Sequence, residues 1–176
     1  MVQVSRVIAC PECRTYWPVE GPARCSDPDH DHRQHEVHRH LDRVALPDGT
    51  TVVAASFTPP APYLRERPPD HGLYLDQAWS PPWPHDHLDW PDFGVPADTD
   101  QLITTLRSVL DRARSGQRVE LGCLGGHGRT GTALAVLAVL AGRRPDEAVA
   151  WVRTTYCDRA VETAEQEALV AGLDAG

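Results

Sequence analysis

Residues 123–131 read Cys-Leu-Gly-Gly-His-Gly-Arg-Thr-Gly, and this stretch decides the fold. An apolar strand is predicted before it, at 119–121, and a long apolar helix after it, at 130–141. Glycines let successive backbone N–H groups turn inward around an anion, and the N-terminus of the following helix adds partial positive charge. The stretch therefore predicts a phosphate-binding loop between a strand and a helix.

The residue types in this loop suit the cleavage of a phosphate ester. The loop field favours a thiolate at Cys123, which is the form that attacks phosphorus. Arg129 offers a planar fork to two phosphate oxygens, and Thr130 can hydrogen-bond the sulfur as it leaves. The alternative is a glycine-rich turn around a buried cysteine. The predicted phosphate-binding residues are Leu124, Gly125, Gly126, His127, Gly128 and Arg129.

A second segment supplies the proton donor that this chemistry needs. Residues 90–96 read Trp-Pro-Asp-Phe-Gly-Val-Pro. Asp92 can protonate the departing oxygen and then act as a base towards water in the second step. Trp-Pro-Asp is also an ordinary turn, because Pro and Asp favour turns for local reasons.

Together the two segments resemble the protein tyrosine phosphatase superfamily, whose loop is usually His-Cys-x-x-Gly-x-Gly-Arg-Thr-Gly. The acid loop about 30 residues before the cysteine matches the order of that family, while low-molecular-weight and rhodanese-like phosphatases fit poorly. The resemblance implies an α/β fold with a central mixed sheet flanked by helices, over residues 41–176. It also implies a phosphocysteine intermediate, with no metal needed for catalysis. The chain departs from the family at Gly122, where the family has histidine.

A third segment, residues 160–166, resembles the glutamine stretch that positions the hydrolytic water in that family. Gln166 retains the second glutamine, and Glu162 replaces the first. Thr163 and Gln166 are also spaced as a capping box that opens a helix. Gln166 is therefore a candidate catalytic residue with an equally local structural explanation.

Cysteine and histidine concentrate in residues 1–40, and we predict a small zinc-binding segment there. A C-x2-C pair, a third cysteine and nearby histidines suit a tetrahedral structural Zn²⁺ site. A redox pair or an unstructured His-rich loop are the alternatives, and His35 is a further candidate for the fourth ligand. The predicted metal ligands are Cys10, Cys13, Cys25, His30 and His32.

Length and composition limit the remaining possibilities. The 176 residues are 41% hydrophobic, which is enough for one substantial core. No apolar run reaches membrane-spanning length, and no secretory signal is visible, so we expect a reducing, cytoplasmic setting. The net charge of −8 argues against nucleic-acid or anionic-membrane partners, which require basic patches.

Periodicity predicts the other elements. Residues 43–57 are predicted to form a hairpin with its turn at Asp48-Gly49, and an amphipathic helix is predicted from about 98 to Gly116. A short strand is predicted at 73–75, and the proline-rich segment after it is predicted to be a loop. Two further helices are predicted at 145–156 and 163–173.

The sequence thus predicts a cysteine-dependent protein phosphatase, for phosphotyrosine or with dual specificity. One alternative is a phosphatase of a non-protein phosphoester, such as an inositol phosphate, lipid or nucleotide. Another is a catalytically silent phosphate-binding module. The expected partner is a phosphorylated protein or a small phosphoester.

Overall fold

Two β-sheets and four helices make up the computed structural model, which describes residues 3–10, 12, 15–19, 25–57 and 63–173. In chain order the strands are β1 (Gln3–Cys10), β2 (Thr15–Pro18), β3 (Arg33–Arg39), β4 (Leu41–Ala45), β5 (Thr51–Ser56), β6 (His71–Tyr74), β7 (His85–His87) and β8 (Val119–Cys123). The helices are α1 (Thr99–Arg114), α2 (Gly128–Leu140), α3 (Pro145–Thr155) and α4 (Ala164–Ala171).

The larger sheet has five strands in the order β4-β5-β8-β6-β7. β4 runs antiparallel to β5, and the other three pairings are parallel. Every residue of the central strand β8 is buried, as expected for a strand with neighbours on both sides. The sheet confirms the predicted mixed α/β fold, and the parallel strands place their carboxyl ends at one edge, where ligands bind in such folds.

The helices follow local signals in the sequence. Asp98 caps α1, and its side chain accepts the N–H of Gln101 at 2.9 Å. Pro145 opens α3, and Gly116, with φ of 89°, lies just beyond the end of α1 as predicted. α2 is buried over nearly its whole length and contacts β8 and the other three helices. It begins at Gly128 and not at the predicted Thr130, so the arginine of the loop belongs to its first turn.

The smaller sheet joins the first three strands in the antiparallel order β2-β1-β3. We predicted a metal-binding turn in this region and no strands. The β-branched residues Val4, Val7 and Ile8 are the signal that favours a strand at β1. β7 was missed as well, because it lies in the proline-rich segment predicted to be a loop.

The chain passes between the two sheets at His40, close to the domain boundary that the sequence predicts. That boundary stays a prediction. Among the described residues, no helix combines the length and the apolar character needed to cross a bilayer.

Candidate active site

Cys123 is the last residue of β8, and its sulfur receives two hydrogen bonds from the loop that follows. The backbone N–H of Gly126 lies 3.3 Å from Sγ, and the Thr130 hydroxyl donates to it at 3.1 Å. Gly126 reaches this position with φ of 77°, a conformation that favours glycine. The loop therefore directs two hydrogen-bond donors at the sulfur of Cys123.

Arg129 joins the phosphate loop to the acid loop. Its side chain is 5% exposed, and Nη1 donates to the carbonyls of Leu75 (2.8 Å) and Trp90 (3.2 Å). Nη2 lies 3.4 Å from Asp76 Oδ2 and 3.2 Å from Asp92 Oδ1. Nε is buried and has no hydrogen-bond partner within the described part of the chain. A buried guanidinium N–H left without an acceptor fits a site that takes an anion.

The acid loop is a tight turn held by its own tryptophan. Trp90 is 3% exposed, and its indole N–H donates to the carbonyl of Gly94 at 2.9 Å, while the N–H of Gly94 donates back to Pro91 at 3.1 Å. Phe93 takes φ of 58° at the tip of the turn and is exposed. Asp92 is 59% exposed on the side chain, so its carboxylate reaches both Arg129 and solvent.

Gln166 lies buried between helix α4 and the acid loop. Its Nε2 donates to the carbonyl of Gly94 at 3.1 Å, and its Oε1 accepts the N–H of Glu162 at 2.9 Å. The N–H of Gln166 in turn donates to the Thr163 hydroxyl at 3.3 Å, so Thr163 is the N-cap of α4. Thr163 therefore caps α4 as the capping box predicts, but Gln166 accepts the N–H of Glu162 and not that of Thr163, so only half of that box is present.

Glu162 lies against the phosphate loop. Its carboxylate accepts the backbone N–H of Gly128, and its pKa is raised above the usual value, first by burial and then by the charge of Asp92. The preceding residue, Val161, is buried and takes φ of 64°, which is strained for a β-branched side chain. The structure therefore places a second carboxylate beside the predicted acid.

Comparisons with known proteins agree with this geometry. Residues 80–160 match the Protein-tyrosine phosphatase family. The crystal structure of Tk-PTP in the active form shares 30% identity with this chain at a TM-score of 0.52, over 58% of this chain and 76% of Tk-PTP. This chain belongs to the protein-tyrosine phosphatase family. The family resemblance seen in the sequence is thus confirmed.

Other comparisons give a shared fold and two uncharacterised relatives. Kinase associated phosphatase has the same fold at a TM-score of 0.61, with 13% identity over 75% of this chain and 92% of that protein. Two uncharacterised proteins of Methanocaldococcus jannaschii are also similar. One is 35% identical over 110 residues, which cover 56% of this chain and 71% of the relative. The other is 36% identical over 111 residues, which cover 56% of this chain and 66% of the relative.

The departure from the usual phosphatase sequence at Gly122 has a steric cause. A Cβ at this position would lie 2.5 Å from the carbonyl oxygen of Ala55 and 3.1 Å from the ring of Phe57. Strand β5 pairs with β8 too closely here for any side chain, histidine included. The loop's own His127 does not replace it on the phosphate side, since its ring faces His40 with 3.3 Å between the two Nε2 atoms.

The sequence did not indicate two residues that lie near the site. Asp76 follows β6 and reaches Arg129, and its position just beyond a strand parallel to β8 was the available signal. His40 packs behind the loop against His127 and Tyr156, with ring centroids 4.9 and 4.7 Å apart. Its contact with residue 127 is separated by 87 positions, and no local pattern indicates it.

The predicted N-terminal metal ligands come together in part. Cys10 Sγ and Cys25 Sγ lie 3.2 and 3.3 Å from His30 Nδ1. Asp27 Oδ2 lies 3.3 Å from the other ring nitrogen of His30, a partner that metal-bound histidines commonly have. His32 is exposed and does not belong to this group of three. Cys13 lies outside the described residues. Two thiols and an imidazole converging this closely fit a zinc site that takes a further ligand.

Proposed function

We propose that this chain hydrolyses phosphate monoesters on proteins, through a phosphocysteine intermediate. The supporting observation is the convergence on Arg129. That side chain lies in the turn of helix that follows the Cys123 loop, and it contacts the backbone of Trp90 and the carboxylate of Asp92. Nucleophile, phosphate-binding arginine and proton donor therefore occupy one site at the carboxyl edge of the sheet.

In the first step, the Cys123 thiolate attacks phosphorus in line with the departing oxygen. An S–P bond forms as the P–O bond to the substrate breaks, and the leaving oxygen takes its proton from the Asp92 carboxyl group. Arg129 and the amides of the loop hold the other phosphate oxygens as charge shifts.

Binding of phosphate changes the partner of Asp92. In the structure its carboxylate faces Arg129 Nη2 at 3.2 Å. A bound phosphate takes over that guanidinium, and its negative charge then lies beside the carboxylate. Asp92, released from the guanidinium, can then face the departing oxygen of the substrate.

In the second step, water attacks phosphorus and the S–P bond breaks. Asp92 takes the proton from the water, and Cys123 leaves as a thiolate that the Thr130 hydroxyl stabilises. Gln166 is our candidate for holding that water, because its amide lies between Glu162 and the acid loop.

Protein phosphoesters fit the charge of the site better than polyanionic ligands. Within the loop, Arg129 is the one basic side chain on the phosphate side, because the His127 ring packs against His40. Inositol phosphates and anionic lipids require more positive charge than this, and the chain as a whole carries −8.

Hydrolysis of para-nitrophenyl phosphate by the wild type and by Cys123→Ser, Arg129→Ala and Asp92→Ala variants tests the mechanism. We expect Cys123→Ser to abolish activity and to trap substrate, and Asp92→Ala to lower kcat by about 10²–10⁴-fold. Asp89→Ala, an exposed acid three residues away, is the matched control and should retain activity. Full activity in Cys123→Ser would refute the proposal.

The substrate class requires a second assay, with phosphotyrosine, phosphoserine and phosphothreonine peptides beside inositol phosphates and nucleotides. We expect the phosphopeptides to give the highest kcat/KM. A preference for the small phosphoesters would overturn the protein-phosphatase part. Phosphate binding without turnover of any compound would identify a silent reader module.

We further propose a reducing, cytoplasmic setting. We also propose a structural zinc ion at Cys10, Cys25 and His30, with Cys13 as the remaining ligand. Metal analysis of the wild type and of Cys10→Ala protein tests the site, with His32→Ala as control. Loss of phosphatase activity in chelator would instead indicate that the metal serves catalysis.

A further inference from the structure

A second group of metal-binding side chains lies behind the phosphate loop. One nitrogen each from His40 and His127 and the sulfur of Cys157 all lie within 4.8 Å of one another. The three residues are only 1%, 9% and 6% exposed. Their side chains take no part in the proposed hydrolysis. We propose that they form a site for a zinc-like transition-metal ion, separate from the N-terminal group. Binding of the ion there does not require the chain to be a phosphatase.

The spacing of the two imidazoles is already that of metal ligands. His40 Nε2 and His127 Nε2 are 3.3 Å apart. Two nitrogens bound at about 2.0–2.1 Å to a tetrahedral zinc ion are separated by roughly 3.3–3.4 Å. An ion can therefore enter between the rings with little movement of either, and Cys157 supplies a thiolate as the third ligand. Three protein ligands leave the fourth position for water.

The carboxylate of Asp42 prepares His40 for this role. Asp42 Oδ2 lies 2.7 Å from His40 Nδ1, so the ring carries its proton on Nδ1 and presents the lone pair of Nε2 towards His127. A carboxylate on the far nitrogen is the usual outer partner of a metal-bound histidine, and it raises the basicity of the ligand.

The site is placed to act on the phosphate loop. His127 directly precedes α2, and a Cβ on its neighbour Gly126 would lie 2.9 Å from the His40 ring. The carbonyl of Gly126 accepts the Tyr156 hydroxyl at 2.6 Å, while its N–H donates to Cys123. An ion bound to His127 would hold the loop from behind and add positive charge near the anion site. By linkage, metal and phosphate should then strengthen each other's binding.

Zinc titration against a chromophoric chelator tests the proposal. The background is full-length protein with Cys10→Ala, Cys13→Ala, Cys25→Ala and Cys123→Ser, which removes the thiols of the proposed N-terminal site and the nucleophile. We expect one equivalent of Zn²⁺ to bind, and binding to weaken at least tenfold when Cys157→Ala or His40→Asn is added. His71→Asn, a buried histidine outside the group, is the matched control and should leave the affinity unchanged.

Cys157→Ser distinguishes a ligand from a merely structural residue. With Co²⁺ as probe, the sulfur-to-metal charge-transfer absorption should appear in the background protein and disappear in this variant. Cd²⁺ affinity should fall more than Zn²⁺ affinity, since cadmium depends more on the soft thiolate. If the His40→Asn protein does not fold, the metal affinity and Co²⁺ absorption of the Cys157→Ser protein are sufficient to test the site. A background protein that binds no zinc, or a Cys157→Ser variant with unchanged metal affinity, would show that the two histidines form only a hydrogen-bonded pair.

Discussion

At the scale of single residues, Glu162 is the group that most opposes the binding of an anion, because its carboxylate lies against the phosphate loop. The carboxylate holds the N–H of Gly128, one of the amides that we predict for phosphate. It must give up this amide, or become protonated, before a dianion occupies the loop fully. Its raised pKa, due to burial and to Asp92, makes protonation easier than for an ordinary glutamate.

Glu162→Gln should therefore bind anions more tightly than the wild type. Removing one negative charge a few ångströms from a dianion is worth about 1 kcal/mol, or roughly a fivefold gain in sulfate affinity at neutral pH. In the wild type, sulfate affinity should rise as the pH falls through the raised pKa of Glu162, because the neutral acid no longer repels the ligand. The variant should lack this part of the pH profile.

Calorimetric titration with sulfate checks this, since sulfate keeps its charge across the range. Glu165→Gln, an exposed acid three residues further along in the first turn of α4, is the control and should bind sulfate as the wild type does. A Glu162→Gln variant with unchanged affinity and an unchanged pH profile would contradict the assignment.

Gly122 gives a second prediction at this scale. Gly122→Ala should lower the free energy of unfolding by roughly 1–3 kcal/mol, because the new methyl group meets the Ala55 carbonyl in a closely paired strand. Gly125→Ala is the matched control, since its Cβ has only an ordinary contact, 3.4 Å from His127. Urea denaturation measures both. Equal stability of the two variants would show that the strands adjust at no cost.

At the scale of elements, helix α4 holds the acid loop through one buried amide. Gln166→Leu keeps the volume but leaves the N–H of Glu162 without its partner and the carbonyl of Gly94 with only the hydrogen bond from Trp90. We expect a loss of about 1–3 kcal/mol in the free energy of unfolding. Hydrogen exchange should become faster in residues 90–96 and stay unchanged in strand β8.

The same variant tests whether Gln166 only supports the acid loop or also positions the hydrolytic water. If Gln166 also holds water, the second step should slow more than the first, and phosphocysteine should accumulate under rapid quenching. Gln101→Leu, on the exposed face of α1, serves as control. Normal exchange in the acid loop of Gln166→Leu would show that the loop is held by Trp90 alone.

At the scale of the whole molecule, a buried ion pair ties a long connection to the sheet. Glu120 on β8 is 1% exposed and receives Nε and Nη2 of Arg65 at 2.7 and 3.0 Å. It also accepts the Tyr74 hydroxyl at 3.1 Å, and Trp83 donates to that hydroxyl. The network crosses from the loop before β6 to the beginning of the central strand.

Arg65→Met should therefore destabilise the protein by about 3–5 kcal/mol, because Glu120 would remain buried without its counter-charge. The double variant Arg65→Met/Glu120→Leu should recover much of that loss, since an apolar pair of similar size carries no desolvation cost. Thermal unfolding of the two proteins provides the measurement. A double variant less stable than Arg65→Met would contradict this account.

The chain by itself determined the phosphate loop, the acid loop, the hairpin and the helices around α2. Each of these depends on signals within a few residues: glycines before a helix, Asp and Pro at caps, apolar residues at helical spacing. The family assignment followed from the same short segments. The N-terminal strands were missed, because the cysteines and histidines of that segment were interpreted only as metal ligands.

Only the tertiary structure decided what lies around these segments. It brought Asp76 to Arg129, His40 behind His127 and Arg65 to Glu120, contacts that span 53, 87 and 55 positions in the chain. It also showed why glycine occupies position 122, because strand β5 approaches β8 too closely there for a side chain. Such pairings depend on which strands become neighbours in the sheet, and that is settled by packing of the whole core and not by any local pattern.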